Sequence, residues 1–172
     1  YVEFQRIDSL PIIAVSRAQI YAITNQKNRF VWQDAWQLPV AGNGLIYFDA
    51  LAKDSLIIGL HTKLDTPEKR TFDIVLGANN NSESVIRDSS GAPLSRERGR
   101  KSLLPSGTNY TSYWVSLNQG ILAAGTGKVA GENSMVSCTM EESDLTNAIK
   151  YFSFSCQDSP ITYRAITAAA VT

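Results

Sequence analysis

The stretch Thr71-Phe72-Asp73-Ile74-Val75-Leu76-Gly77 decides the fold class of this chain. Its apolar residues at 72, 74 and 76 alternate with 73, 75 and 77, which is the period of a β-strand. Residues 113–117 repeat the same alternation, and Asn-rich or Gly-containing turn signals follow both segments. The two segments therefore predict two strands, each followed by a turn.

Similar short runs of β-branched and aromatic residues cover much of the remaining chain, at 2–7, 12–15, 18–24, 45–51, 56–60, 149–156 and 161–167. The best helical candidate, residues 140–148, is no longer than two turns, and residues 87–107 form the most loop-like stretch. Many short strands without amphipathic helices between them are typical of an antiparallel sandwich or barrel.

The length of 172 residues favours one domain over residues 1–172. We predict an all-β fold, an antiparallel β-sandwich with little helix. The alternation within the clearest strands predicts the core residues, which are Phe72, Ile74, Leu76, Phe152, Phe154 and, from residues 113–115, Trp114 or its neighbours Tyr113 and Val115.

Charge and residue composition exclude several classes of function. Sixteen Lys and Arg balance sixteen Asp and Glu, so no overall field draws the chain to nucleic acid, and no window approaches 18 apolar residues. We expect neither a nucleic-acid partner nor a membrane span. The single histidine, His61, excludes zinc sites that need two histidines, and no CxxC spacing occurs. We therefore expect no metal and no cofactor.

Cys138 and Cys156 leave two alternatives open, a disulfide or two free thiols. Two sequons, at residues 80–82 and 109–111, would accept N-glycans in a secretory compartment. Together with the even cysteine count, they favour an extracellular or secretory location.

The order of several short motifs along the chain carries a family resemblance. It consists of Leu45-Ile46-Tyr47-Phe48-Asp49-Ala50, residues 56–60, residues 71–77, Asn81, Ser84, Ile86-Arg87, Tyr113-Trp114-Val115-Ser116-Leu117, Gly120-Ile121, Gly125 and residues 149–155. This order resembles the farnesoic acid O-methyltransferase-like domain over residues 45–165, while residues 1–40 are only loosely similar. The resemblance implies a jelly-roll or lectin-like sandwich that serves as a non-catalytic ligand-binding or adhesion module.

The family's name suggests an alternative, methyl transfer from S-adenosylmethionine to a terpenoid acid. Such a cofactor normally needs a glycine-rich turn after a parallel strand. The turn at Gly77-Ala78-Asn79-Asn80-Asn81 lacks that glycine spacing and is followed by another predicted strand. The sequence therefore favours a binding module, with carbohydrate, another small ligand or a protein as its partner.

Polar residues near this turn are the first candidate site. The amides of Asn80 and Asn81 and the guanidinium of Arg87 suit sugar hydroxyls or a carboxylate. The structural alternative is that the Asn residues shape a turn and that Arg87 pairs with Asp49 or Asp73. Trp32 and Trp36 are the candidates for stacking on a sugar ring.

A basic cluster is the second candidate site, and it comprises Arg96, Arg98, Arg100 and Lys101. Four cations within six residues suit an anion such as phosphate or a sulfated glycan. The alternative is a solvated hairpin loop.

Overall fold

The computed structural model describes residues 3–6, 14–15, 18–24, 29–63, 70–105, 107–140 and 144–171. They form two seven-stranded sheets. The first sheet has the strand order β1 (Glu3–Arg6), β4 (Arg29–Trp32), β13 (Tyr151–Cys156), β6 (Leu56–His61), β7 (Phe72–Gly77), β8 (Glu83–Asp88) and β9 (Pro93–Glu97). The second has the order β12 (Ser134–Thr139), β11 (Ile121–Thr126), β10 (Thr111–Asn118), β5 (Gly44–Leu51), β14 (Ile161–Ala169), β3 (Ala18–Thr24) and β2 (Ala14–Val15).

Strand pairing in both sheets is antiparallel, apart from the parallel pair of β1 and β4. The predicted antiparallel β-sandwich is therefore confirmed. Among the residues that the structure describes, helix is confined to single turns, which are α1 (Ala78–Asn81), a 3-10 turn (Arg100–Ser102) and α2 (Asp144–Asn147). No helix in the described part of the chain has the length and apolarity to cross a bilayer.

The core lies between the two sheets and follows the predicted alternation. Phe72, Ile74 and Leu76 point into it from β7, and Phe152 and Phe154 point into it from β13. On β10 the inward residues are Tyr113 and Val115, whereas Trp114 is buried on the outward face of the second sheet. A hydrogen bond of 2.6 Å from the Tyr163 hydroxyl to the Ser155 carbonyl ties β14 to β13 across the core.

The middle strands of the first sheet are buried on both faces, which explains their near-continuous apolar sequence. A small outward cluster of Phe30, Ile57 and Val75 lies on the face away from the core. This outward face also carries the charged residues considered below.

Cys138 and Cys156 do not form a disulfide in the structure. Cys156 belongs to β13 in the middle of the first sheet, whereas Cys138 belongs to β12 at the edge of the second. Of the two alternatives left open by the sequence, the disulfide is therefore not supported, and neither is the secretory location that the even cysteine count favoured.

Candidate functional site

A row of residues crosses the outward face of the first sheet. Antiparallel register aligns Ser153 with Gly59, Gly59 with Asp73, and Asp73 with Arg87. Trp32 lies on β4, which pairs with β13 at Val31 and Phe154, and its half-buried ring packs against the core between the sheets. Of the predicted site residues, Arg87 thus lies on this row.

Asp73 is the polar centre of this row. Arg70 donates to both of its carboxylate oxygens, with Nε at 2.6 Å from Oδ1 and Nη2 at 3.1 Å from Oδ2. Arg87 donates to Oδ2 from Nη2 at 3.4 Å. Asp73 is therefore the partner that Arg87 takes, and the carboxylate is shared by two guanidinium groups.

Gly59 makes room for Arg70 above the sheet. A Cβ at this position would lie 2.6 Å from Ser153 Oγ and 2.9 Å from the Cδ of Arg70. The Arg70 guanidinium in turn lies 4.1 Å from the centre of the Phe30 ring, a distance typical of a cation–π contact. The absence of a side chain at 59 therefore positions the arginine that holds Asp73.

Glu83 forms a second, similar centre four residues before Arg87 on β8. Its Oε2 accepts a hydrogen bond from the Nε of Arg98 and forms an ion pair with the Nε of Arg96, each at 3.1 Å. The amide of Asn79 donates to the other oxygen. Two members of the predicted basic cluster are therefore ion-paired on the same face as Arg87.

The β8–β9 hairpin brings these arginines over the face. Asp88 Oδ1 accepts from the Ser90 and Ala92 amides, at 2.9 and 3.1 Å, and closes the turn. A hydrogen bond from the Ser90 hydroxyl, the largest cause, and the backbone amides lower the pKa of Asp88. With the turn fixed, β9 pairs Arg96 with Val85 on the outward face. The stretch 87–107, expected to be loop-like, therefore contains an edge strand and a 3-10 turn.

We call the resulting surface the arginine face. It consists of Arg70, Asp73, Glu83, Arg87, Arg96 and Arg98. Its carboxylates are buried, with side chains only 7% exposed for Asp73 and 4% for Glu83, while its arginines reach solvent to a greater extent. Buried carboxylates need such partners, because an unpaired buried charge is strongly unfavourable.

Asn80 and Asn81 lie at the opposite end of β8 from Arg87. They belong to the turn after β7, in which Asn79, Asn80 and Asn81 all have positive φ. The Asn81 amide donates to the Leu104 carbonyl at 3.1 Å, and its oxygen accepts from the Leu104 amide at 2.7 Å. Asn80 is exposed, and both residues line a cavity of 510 Å³ beside Lys53 and Asp54.

The remaining candidates have separate environments. Trp36 is 2% exposed and packs against Phe152 and Phe154, so its ring belongs to the core and is not available for stacking at the surface. Trp32 is half-buried at the edge of the core. Arg100 and Lys101 are exposed and line a groove of 390 Å³ against residues 134–137, and their anion-binding role stays a prediction.

Three residues of the arginine face were not among the sequence-based candidates: Arg70, Asp73 and Glu83. One signal was present, since Asp73 is a charged residue within a strand whose other positions are apolar. A charge at such a position indicates a buried partner. Nothing in the linear sequence indicates that the partner is Arg70. Among the described residues, no group of three or more His, Cys, Asp or Glu side chains is arranged to hold a metal ion.

The family model described as farnesoic acid O-methyl transferase matches residues 26–169. The chain belongs to this family. A BTB/POZ domain-containing protein of Arabidopsis thaliana is 21% identical over 148 residues, which make up 82% of this chain and 18% of that protein. The chain therefore spans less than a fifth of the length of this relative.

Solved structures share the sandwich at low sequence identity. The exoplasmic/lumenal domain of VIP36, in a Ca2+/Man3GlcNAc-bound form, has a TM-score of 0.57 at 9% identity. The match covers 94% of our chain and 81% of the VIP36 chain. A variant of human galectin-16 has a TM-score of 0.56 at 9% identity, and the match covers 80% of our chain and 96% of the galectin chain. A tetrameric galectin from the ball sponge Cinachyrella sp. has a TM-score of 0.54 at 13% identity. That match covers 86% of our chain and 99% of the galectin chain. These likenesses show a lectin-like fold.

Proposed function

We propose that this domain is a non-catalytic carbohydrate-binding module whose arginine face binds the saccharide. The observation that carries the proposal is the pair of buried carboxylates, Asp73 and Glu83, each held by two arginines on an outward sheet face. Carboxylates held this way fix the arginine side chains in place. Fixed donors lose less conformational entropy when they bind a ligand than mobile surface side chains do.

The chemistry of this face suits a sugar. Guanidinium groups donate several hydrogen bonds in a planar array, and sugar hydroxyls accept them. In this proposal the partly exposed ring of Trp32, on β4 of the same sheet, packs against the apolar face of a sugar. From β4 to β8, which carries Arg87, the sheet crosses four strand spacings, about 19 Å, so this face suits an oligosaccharide better than a single ring.

The structural neighbours support this function through their fold. VIP36, which has the same sandwich, was solved with Man3GlcNAc bound. In our proposal Asn80 and Asn81 lie outside the saccharide site, because they face a different cavity at the end of the sandwich and Asn81 is already bonded to Leu104. Arg87 and Trp32 stay in the proposed site.

A glycan array followed by calorimetry tests the proposal. We expect Arg87→Gln to weaken saccharide binding by roughly 1.5–3 kcal/mol, as for the loss of a charged hydrogen-bonding partner. Arg164→Gln is the matched control, because Arg164 is also 29% exposed and also pairs with an aspartate, Asp49, but lies on the outward face of the other sheet. Unfolding midpoints of both variants must be compared with that of the unsubstituted domain.

Two results would count against the carbohydrate-binding function. Equal losses of binding in the two variants would show that a general charge effect, and not the arginine face, is responsible. Absence of binding to any glycan, with saturable binding of S-adenosylmethionine in a parallel titration, would favour the methyl transfer that the family's name describes.

A further inference from the structure

We propose that the saccharide bound by the arginine face is acidic and carries sulfate or carboxylate groups. This inference rests on the proposed carbohydrate-binding function and adds the class of ligand to it. It rests on a difference in solvent exposure between the arginines and the carboxylates of this face.

The charged groups exposed to solvent on this face are mainly guanidinium groups. The side chains of Arg70, Arg87, Arg96 and Arg98 are 18%, 29%, 43% and 70% exposed. The carboxylates beneath them are 7% and 4% exposed. The acidic partners therefore hold the arginines in place but are almost inaccessible to a ligand.

The face also has an excess of positive charge. Four arginines and two carboxylates leave a net charge of +2, although the whole chain is neutral. Opposite charges close to a protein surface attract over several ångströms before they are screened. An anionic ligand thus gains an attraction that a neutral sugar lacks.

The outward face of the second sheet provides an internal comparison. There Arg164 and Asp49 form an ion pair in which the two side chains are almost equally exposed, at 29% and 25%. A ligand approaching that pair meets both charges. On the arginine face a ligand meets the cation alone, which is the arrangement expected for recognition of an anion.

Arginine also suits the geometry of the proposed groups. Its planar fork of donors matches the oxygens of a carboxylate or sulfate, which can accept two parallel hydrogen bonds. The ion pairs of these arginines use Nη2 of Arg87 and Nε of Arg96 and Arg98. The exposed parts of Arg96 and Arg98 carry further donors that a ligand can reach.

The experiment compares matched acidic and neutral saccharides on the intact domain. The pairs are sulfated and unsulfated forms of the same oligosaccharides, heparin-derived fragments and their desulfated forms, and oligogalacturonates and their methyl esters. We expect the acidic member of a pair to bind at least about tenfold more tightly. Raising the ionic strength from about 0.05 M to about 0.5 M should weaken the acidic member far more than the neutral one.

Arg98→Gln tests the assignment to this face. Arg98 is 70% exposed and Glu83 keeps Arg96 as a partner, so this variant should fold normally. We expect it to reduce the ratio of acidic to neutral affinity several-fold, and we expect Arg164→Gln, which removes the same charge elsewhere, to leave the ratio unchanged.

Equal binding of acidic and neutral glycans would overturn this inference and leave the carbohydrate-binding function in place, whereas binding of no glycan would overturn both. Equal effects of Arg98→Gln and Arg164→Gln would also overturn it, because the preference would then come from overall charge. The inference would also be overturned if inorganic polyphosphate bound as tightly as the sulfated saccharides and its binding depended on Arg98 to the same extent. The face would then recognise an anion without recognising a sugar.

Discussion

Asn80 has a backbone φ of 58° and ψ of 44°, which places it in the left-handed region. Asn79 and Asn81 have similar φ values of 52° and 57°, so three successive residues adopt a conformation that costs most L-residues about 1–2 kcal/mol each. Asn tolerates this region better than most residues, because its short polar side chain can bond locally. The run of asparagines at this turn is thus explained by backbone geometry.

We predict that Asn80→Ala lowers the free energy of unfolding by about 1 kcal/mol, because alanine lacks asparagine's tolerance of positive φ. Asn80→Gly should change it by only a few tenths, because glycine adopts this conformation freely. Asn80 is exposed, so neither substitution disturbs the core. Urea denaturation of the two variants measures the difference, and equal midpoints would show that backbone strain does not select asparagine here.

At this scale the sequence predicts types of residue better than their partners. The core positions 72, 74 and 76 follow from alternation alone, because each residue's face is set by its place in the strand. Trp36 cannot be assigned in this way. Its burial depends on Phe152 and Phe154, which lie more than a hundred positions away and meet it only when β13 enters the sheet.

At the scale of elements, the β11–β12 connection explains why Trp114 is buried although it points away from the core. Residues 127–133 form this connection, and the Trp114 Nε1 donates to the Glu132 carbonyl at 2.8 Å. Gly125, opposite Trp114 in the register, has no room for a side chain. A Cβ there would lie 2.5 Å from the Asn133 carbonyl oxygen and 2.7 Å from the Trp114 ring.

We therefore expect Gly125→Ala to destabilise the domain by about 1–3 kcal/mol, the usual cost of overpacking. The control is Gly99→Ala, because nothing lies within 4 Å of a Cβ at residue 99 and its φ is −68°. Thermal or urea unfolding should separate the two variants clearly. A stable Gly125→Ala variant would mean that the connection can move away from Trp114 without loss.

The elements that sequence pattern predicts well are those with a buried face. β7 and β10 have clear alternation, whereas β9 contains Pro93 and mostly exposed polar residues. An edge strand is often built this way, since prolines and charges block further pairing. Its place in the sheet is set by the Asp88 turn and by β8, so its own residues carry little signal of a strand.

At the scale of the whole molecule, the arginine face depends on the order of strands. Arg70, Asp73 and Arg87 come from a loop and two strands, and Glu83 meets Arg96 and Arg98 only because β9 returns beside β8. The sequence contains all these charges but not their proximity. The family resemblance, confirmed over residues 26–169, conveys the fold and leaves the ligand to be identified from the face itself.

The core between the two sheets contains two buried tyrosines, Tyr113 and Tyr163, and these make stability depend on pH. Burial raises the pKa of Tyr113 to about 12 and that of Tyr163 well above its usual value, with Cys156 as a further cause for Tyr163. The folded state therefore retains phenol protons that the unfolded chain releases above pH 10. This contribution is fully present below pH 10 and is lost as the pH rises towards 12.

We expect the free energy of unfolding to fall between pH 10 and 12, with Tyr113 alone accounting for roughly 2–3 kcal/mol of the loss. Urea titrations across this range measure the fall, and the difference in tyrosinate absorbance between the domain and Tyr113→Phe reports when the Tyr113 phenol ionises. The free energy of unfolding of Tyr113→Phe should fall less steeply than that of the unsubstituted domain, because the ring stays in the core without its titrating hydroxyl. Both proteins contain the same lysines, so their background titration cancels in the comparison. If the two curves have the same slope, or if the Tyr113 phenol ionises before unfolding begins, Tyr113 does not link the stability of the sandwich to pH.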